Sequence, residues 1–578
     1  MKFAGAGFRK ARAHLNYVQR DGVSKDGETG KLYNKTLDDV DGEKFLEQAK
    51  DDRHQFRFIV SPEDANELTD MKIFTRNLMA QAEKDLRTKL DWVAADHYNT
   101  DNPHTHIIVR GIDEDGRDLV IAKDYLSKGF RERASELMSA ELGQRHDFEI
   151  EKAMQRETLQ DRFTSIDRGL IRKIEGGVID MRDNKLGQYS KFKKELELSR
   201  LTKLKEMGLA KEISTGQWQL SEKIEESLRS LGQRNDIIKT MHAQMARNGK
   251  NPLRSNYEIL HPEEQPDKGI IGKLVGKGLS DEINDRYYLI VEGVDGKTHY
   301  ADIGQVSDIE TYKTGSIVEL SPRNIEPRKI DYTIAKIANA NKGLYNEELH
   351  KQHDPKASRE YIRTHIRRLE ALRRNNIARR FIDGSWEVPR NYINEVSQLN
   401  ETRAKQSPIK ITIRSQFSLE VQTSAAGATW LDRNLIDNSK TPLSNVGFGG
   451  EVKNALNVRR AYLLAEGFAK ETDTGTTYQK GILKNLEQRE VNKKAASISK
   501  EIGKTFKPTQ MGDKIEGVYS KPVELASGKY ALIEKSKEFR LVPWRAVLER
   551  SRGQTISGIV GGNGISWNIG KKRGIGIS

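Results

Sequence analysis

The sequence predicts a multidomain α+β chain, and three observations carry that reading. At 578 residues the chain is too long for one hydrophobic core. Its first 150 residues run strand, helix, strand pair, helix, the order of a compact domain on an antiparallel sheet. Further on, a block recurs at constant spacing. Arg200, Leu201, Leu204, Leu209, Ala210, Gly216, Trp218 and Leu220 return 168 residues later as Arg368, Leu369, Leu372, Ile377, Ala378, Gly384, Trp386 and Val388.

In the first domain, residues 1–150, Lys10–Arg20 (KARAHLNYVQR) reads as a basic helical turn bearing Tyr17, followed by an Asp21-Gly22 turn. Phe56–Ser61 is β-rich and stops at Pro62. Glu67–Leu90 is amphipathic, with Leu68, Met71, Phe74, Leu78 and Met79 near helical spacing. Asp91–Arg110 follows as strand, short loop and strand, then a helix from Asp124 to Leu142.

Residues 151–260 and 328–400 hold the two copies of the recurring block. Each reads as a helix, a short strand, a Gly turn and a Trp-bearing strand, so two winged-helix-like domains are expected. In the second copy, Tyr332–Ala340 and Tyr345–Gln352 supply shorter preceding helices, and Pro355 and Ser358 mark the start of the long one. Arg363, Arg367 and Arg368 on that helix are the expected DNA contacts, with Arg373 and Arg374 beside them. In the first copy Glu195 and Glu197 dilute the positive charge.

Residues 268–325 and 511–578 alternate β-rich runs with Gly turns and read as two small β-barrel-like regions, SH3-like or OB-like. Residues 401–510 read as a mixed linker: Pro408–Val421 strand-like, Glu451–Phe468 and Leu483–Ile502 helical. Residues 293–298 (GVDGKT) and 502–505 (IGKT) echo a phosphate-binding loop. Val291 and Ile498 stand where that loop requires Gly, so no nucleotide-driven motor is expected.

The chemistry concentrates in DWVAADHYNTDNPHTHIIVR (91–110), which holds three of the twelve histidines. Alternation along a strand points His104 and His106 the same way, and a hairpin with its loop at about residues 98–103 returns His97 beside His104. Three imidazoles then leave positions open on a metal for water or substrate. Asp96 or Asp101 is the expected acceptor of a ring N–H behind the ligands.

The formal net charge is +14 and the sequence pI about 9.3, which suits a polyanionic partner, most often nucleic acid. With no cysteine, disulfides, zinc ribbons and iron–sulfur sites are excluded. The N-terminus lacks the apolar core of a signal peptide and no run of eighteen apolar residues exists, so a cytoplasmic protein without a membrane span is expected.

A three-histidine site, a basic scaffold and a tyrosine among cations suggest phosphodiester chemistry. A divalent ion on phosphate oxygens neutralises charge developing in the transition state, and a tyrosine hydroxyl can be the nucleophile. Tyr17 is preferred because Arg9, Lys10, Arg12 and Arg20 surround it, and these cations would lower its pKa or hold phosphates. Tyr33 is the runner-up, and Tyr98 lies nearer the histidines.

Tyr17 in HLNYVQRDG, RFIVSPED (57–64) and HYNTDNPHTH (97–106) together resemble conjugative relaxases of the mobilisation type, within the histidine–hydrophobic–histidine nucleases. The likeness is closest to relaxases related to the Ti-plasmid border endonuclease that carry a long C-terminal extension, of which LVPWRAVLERSRG (541–553) is similar. The resemblance implies an enzyme that nicks one strand at an origin of transfer and stays bound through tyrosine to the 5′ phosphate. It would travel with that strand through a type IV secretion channel and rejoin the ends. His97, His104 and His106 would match the metal histidines, with Mg²⁺ or Mn²⁺ as cofactor. Single-stranded and duplex DNA, accessory relaxosome proteins and a coupling protein would be partners in a bacterial cytoplasm. Two positions depart from the pattern. Thr105 is not strongly hydrophobic, and Asn99 stands where an acidic residue is common. The tyrosine-activating base is therefore open between His97, His14 and His54. Alternatives of other kinds are a rolling-circle replication initiator of the same chemistry, a non-enzymatic winged-helix DNA-binding regulator, and a zinc hydrolase.

Overall fold

A computed structural model describes residues 11–568 apart from 13, 16–17, 20–22, 25–29, 99–102, 144–146, 183–187, 266–268, 282–283, 307, 438–440, 474 and 562–563. It is a multidomain α+β chain that divides into two units near residue 252.

The first unit opens on a three-stranded antiparallel sheet in the order β1-β3-β2, with β1 at Gln55–Val60, β2 at Trp92–His97 and β3 at His104–Arg110. Helix α1 (Gly42–Gln48) precedes it, and α2 (Met71–Leu86) joins β1 to β2. The Asp70 carboxylate starts α2 by accepting from Lys72 N at 2.7 Å, as an N-cap should. One sheet face (Trp92, Ala94, Ile107, Val109) packs on Phe74, Leu78, Met79 and Ala82 of α2. The other (Val93, Ala95, Ile108) is covered by Ala11, Leu15, Val18, Leu32, Phe45 and Leu46. Period-two alternation therefore separates two chemistries across one sheet.

The rest of this unit is helical around the first repeat. After α3 (Phe130–Leu142) and α4 (Asp147–Thr158), the repeat comprises α5 (Ser165–Arg172), β4 (Ile179–Asp180), α6 (Gln188–Glu206), β5 (Ala210–Ser214) and β6 (Gln217–Leu220), and α7 (Ile224–Arg247) follows. Its sheet order is β4-β6-β5.

The second unit begins with a six-stranded sheet in the order β15-β11-β8-β9-β10-β7. Its strands are β7 (Tyr257–Ile259), β8 (Ile270–Asp281), β9 (Arg286–Gly293), β10 (Thr298–Gly304), β11 (Ile317–Pro322) and β15 (Ile409–Ser415). The expected barrel over 268–325 is corrected here. Its edge strands come from 257–259 and 409–415, and no ladder joins β7 to β15 among the described residues. The sheet curls until Gln305 N–H reaches Gln406 O at 2.7 Å, without closing. Gly293–Thr298 is the β9–β10 turn, with Gly296 at φ +84°, and not a phosphate loop.

The second repeat is inserted between β11 and β15. It runs α8 (Lys329–Ala340), β12 (Leu344–Tyr345), α9 (Glu347–His353), α10 (Arg359–Arg373), β13 (Arg379–Arg380) and β14 (Trp386–Glu387), with sheet order β12-β14-β13, and α11 (Tyr392–Gln406) leads back to β15. Ser358 caps α10, accepting from Tyr361 N at 3.1 Å. Under α10, buried His350 and His365 meet edge to face at 4.6 Å, and the Tyr345 hydroxyl lies 2.6 Å from His350 Nδ1. Burial holds both imidazoles below the ordinary histidine value. Their neutral forms are favoured in the fold, so their stabilisation is present above about pH 6.5 and is lost as pH falls through the lower folded values. The urea midpoint is expected to drop with acidification over that range, and His365→Leu to flatten the drop.

Residues 419–502, expected as a mixed linker, form a third repeat. It comprises α12 (Leu419–Ser424), α13 (Trp430–Ile436), α14 (Gly447–Ala465), β16 (Ala469–Thr472) and β17 (Gly475–Tyr478), followed by α15 (Ile482–Ile502). Three details equate it with the others. First, an aspartate at the third position of α5, α8 and α13 pairs bidentately with a long-helix arginine. The Nε distances are 2.7 Å for Arg200–Asp167, Arg368–Asp331 and Arg459–Asp432 alike. Second, eight residues after each arginine a positive-φ residue stops the helix: Gly208 (+72°), Asn376 (+60°) and Gly467 (+75°). Third, the next N–H closes the same six-to-one bond back onto the helix, Leu209 to Leu204, Ile377 to Leu372 and Phe468 to Leu463.

The chain ends in a second six-stranded sheet, β18-β21-β20-β19-β22-β23. Its strands are β18 (Thr505–Phe506), β19 (Lys514–Leu525), β20 (Gly528–Glu534), β21 (Glu538–Pro543), β22 (Thr555–Gly561) and β23 (Gly564–Asn568). The barrel expected over 511–578 is corrected as well. Val491, Ala495 and Ile498 of α15 cover Val523, Leu525, Leu532 and Leu541, so a helix seals one side of this sheet. Among the described residues no helix is long and apolar enough to cross a membrane.

Candidate metal centre

The β2–β3 register pairs His97 with His104 and Ala95 with His106, which places all three imidazoles on the sheet face opposite α2. Their ring centroids lie 4.2 Å (His97–His106), 4.9 Å (His104–His106) and 5.3 Å (His97–His104) apart. His97 and His106 are buried and His104 is half-buried, so the cluster has one side toward solvent. One ligand atom from each falls within 4.8 Å of the others, a grouping able to hold a metal ion.

Two details fit a shared cation. His104 Nε2 and His106 Nε2 are 3.1 Å apart. Two nitrogens bound at 2.0–2.1 Å to one ion would stand about 2.8 to 3.4 Å from each other. His97 Nε2 lies 2.8 Å from the Val18 carbonyl oxygen, which can only accept, so Nε2 carries the proton and the neutral ring keeps its lone pair on Nδ1. The N-terminal segment thus orients the third imidazole through its backbone.

Asp96 does not stand behind these ligands, which corrects its expected role. One residue along a strand reverses the face, and Asp96 points toward α2. Its carboxylate accepts from Tyr33 Oη (2.7 Å) and Thr105 Oγ1 (2.6 Å), and Thr75 Oγ1 lies 3.3 Å from Thr105 Oγ1. Burial pushes the Asp96 carboxyl up from its ordinary value. This network accounts for a threonine between the two histidines, because a hydrophobic residue at 105 would remove one of the two donors to a half-buried carboxylate.

Asp101, Arg9, Lys10, Arg20 and Tyr17 lie outside the described residues. Tyr33, the runner-up nucleophile, is buried on the far face with its hydroxyl on Asp96, and burial holds its pKa well above the ordinary value. Tyr98 is half-buried and its hydroxyl is pushed up to about 12, chiefly by burial. Arg12 pairs with Glu43 at the surface. Arg363 and Arg367 are exposed on α10. Arg368 is corrected as a DNA contact, because its side chain is 9% exposed and bidentate on Asp331.

Two further residues share the histidine face. His14, three residues before Tyr17 in the sequence, is buried with its ring 6.2 Å from His106, and its Nδ1 has no hydrogen-bond partner among the described residues. Burial, then the charges of Arg57 and His97, holds its pKa well below the ordinary value. Arg57 stands opposite Ile108 in the β1–β3 register and so projects on the same face. Its signal was the two-residue period of FRFIV (56–60). His54, by contrast, is held by Leu119 O at 2.9 Å, away from this cluster. A second grouping, Glu258, Asp295 and His299, is already internally matched. Lys297 Nζ sits 3.0 Å from Glu258, and His299 Nε2 3.0 Å from both Asp295 oxygens.

Residues 197–576, more than half of the chain, match the model of a family described as "Protein of unknown function (DUF3363)". No curated protein and no solved structure matches the chain. The histidine cluster lies N-terminal to the matched residues.

Proposed function

We propose that this chain, which belongs to the family described as "Protein of unknown function (DUF3363)", is a relaxase-type enzyme that nicks one DNA strand by tyrosine transesterification. The observation that supports this reading is the convergence of His97, His104 and His106 on one partly open sheet face, with Arg57 and His14 beside them. The three imidazoles would hold a divalent ion, Mg²⁺ or Mn²⁺. When bound, it supplies charge neutralisation on the scissile phosphate.

The remaining work falls to the chain's own groups. Tyr17 Oη attacks the phosphorus, the P–O3′ bond breaks, and the 3′ oxygen leaves with a proton. The 5′ phosphate stays on tyrosine, so the bond energy is retained and the reverse attack by a 3′ hydroxyl reseals the strand. Arg57 adds a guanidinium on the same face, suited to a phosphate oxygen. His14, three residues before Tyr17 in the sequence and beside His106, is the imidazole that would take the tyrosine proton. Conjugative transfer, passage through a secretion channel, and relaxosome and coupling partners belong to the same reading.

Single-stranded oligonucleotides from the origin region, incubated with Mn²⁺, test it. A covalent protein–DNA adduct is expected, and Tyr17→Phe is expected to lower its yield at least ~10³-fold. Tyr33→Phe should keep the adduct, since that hydroxyl lies across the sheet. An undiminished adduct from Tyr17→Phe sinks the assignment.

A further inference from the structure

The three repeats provide an internal comparison on one scaffold. Their inward positions agree: the aspartate-paired arginine (200, 368, 459), then the buried Leu204, Leu372 and Leu463, then Ala210, Ala378 and Ala469. Their outward positions do not. On α10 and at its C-cap the exposed Arg359, Arg363, Arg367 and Arg374 fall within about 80° of arc at 100° per residue, opposite the buried Ile362, Leu369 and Leu372. The hairpin after it adds exposed Arg379 and Arg380. At the positions of 363, 367, 374, 379 and 380, the first repeat exposes Glu195, Ser199, Glu206, Lys211 and Glu212. The third exposes Asn454, Val458, Ala465, Lys470 and Glu471.

The hairpin tip differs at position 382: Ile382 is fully exposed where the other repeats carry Ser214 and Asp473. Phe381 beside it is 37% exposed, much as Ile213 is at the same position of the first repeat, and the Arg379 guanidinium lies 5.8 Å from the Phe381 ring. Of the acidic neighbours, Glu370 pairs with Arg373 and Asp383 accepts from Ser385 N and Oγ, while exposed Glu387 stands across the ladder from Arg379 and exposed Glu360 follows Arg359. Among the described residues none of the six arginines forms a side-chain ion pair.

We infer that the second repeat is a duplex-DNA-binding module and that the first and third are not. Its order of helices and hairpin is that of a winged helix, with α10 entering the major groove and the β13–β14 hairpin as the wing. Four guanidiniums on one helical arc, with two more on the hairpin that follows, are complementary to a polyanion, and guanidinium forks suit phosphate oxygens and guanine edges. An α-helix fits the major groove, whereas single strands need a run of stacking aromatics that this face lacks. The bare isoleucine and flanking arginines at the tip suit a minor groove, where apolar wedges act between base steps. Arg368, which the recurring pattern makes look like part of this face, belongs to the scaffold instead. This inference stands independently of the nicking chemistry, because it rests on another domain and another form of DNA.

The test uses the full chain and fluorescence anisotropy of a labelled mixed-sequence duplex of about 30 base pairs, in EDTA, across a salt series. Arg363→Gln, Arg367→Gln, Arg379→Gln and Arg380→Gln combined should lower duplex affinity at least ~tenfold near 100 mM salt and flatten the log–log salt slope by about 3 to 4. A matched variant of the other repeats (Lys191→Gln, Lys211→Gln, Lys470→Gln) should change affinity less than about twofold. Ile382→Ser should weaken binding with the slope unchanged, because no charge is altered. Circular dichroism and thermal midpoints matching the parent show that each variant folds. The assignment is overturned if the arginine variant binds like the parent, if the matched variant loses as much, if Ile382→Ser binds like the parent, or if single strands bind the arginine face more tightly than duplex.

Discussion

His106→Ala is expected to lower Mn²⁺ affinity and adduct yield together, each by at least ~100-fold. His106 is the central member of the cluster: 3.1 Å from His104 through Nε2 atoms, 4.2 Å from the His97 ring, and 6.2 Å from His14. Deleting it leaves two imidazoles more than 5 Å apart between ring centres (5.3 Å) and opens a gap beneath a buried position. Calorimetric Mn²⁺ titration and gel-resolved adducts read the two losses separately. Asp96→Asn is the discriminating companion. Because Asp96 faces α2, this change should lower stability and leave Mn²⁺ affinity within about threefold of the parent. A loss of metal affinity from Asp96→Asn equal to that from His106→Ala would restore Asp96 behind the ligands and refute the face assignment.

That contrast also shows what the sequence disclosed and where it stopped. The histidine convergence was legible because it needs only a strand period of two and a short hairpin, both local properties. The Asp96 role failed on the same rule, since a neighbour in a strand is on the other side. His14 was only a minor candidate for the base, because its place depends on how the N-terminal segment docks on the sheet, a contact across more than ninety positions. The strands of the two six-stranded sheets were largely visible, but how each sheet is edged and covered was not. That depends on β7, β15 and α15, which come from segments remote from the Gly-punctuated runs. The third repeat escaped because the conspicuous markers are missing. Thr477 replaces the tryptophan and Arg460 the leucine after the key arginine, while the quieter marks at Arg459, Leu463, Gly467 and Ala469 persist.

Those quiet marks predict the largest stability effect in the molecule. Arg459→Met is expected to destabilise the third repeat by about 3 to 5 kcal/mol, the range for breaking one half of a buried pair. Both side chains are fully buried. Arg459 donates to both Asp432 oxygens (2.7 and 2.8 Å) and to the carbonyls of Ala425 (2.6 Å) and Gly427 (2.9 Å). Methionine fills much of the volume but leaves a carboxylate with only the Thr429 N–H and hydroxyl, and two carbonyls without that donor. Adding Asp432→Asn removes the stranded charge and retains an oxygen for the helix cap, so the double variant should regain a large part of the loss. Arg200→Met should behave alike, since Arg200 is equally buried and reaches the carbonyls of Thr158, Gln160 and Arg162. Arg368→Met should cost less, because that side chain is 9% exposed and Tyr392 Oη also donates to Asp331 at 3.0 Å. Urea denaturation of the full chain, with hydrogen exchange to localise the loss, checks the order. A loss below about 1 kcal/mol for Arg459→Met would class the pair with exposed salt bridges and remove its role in holding the repeat.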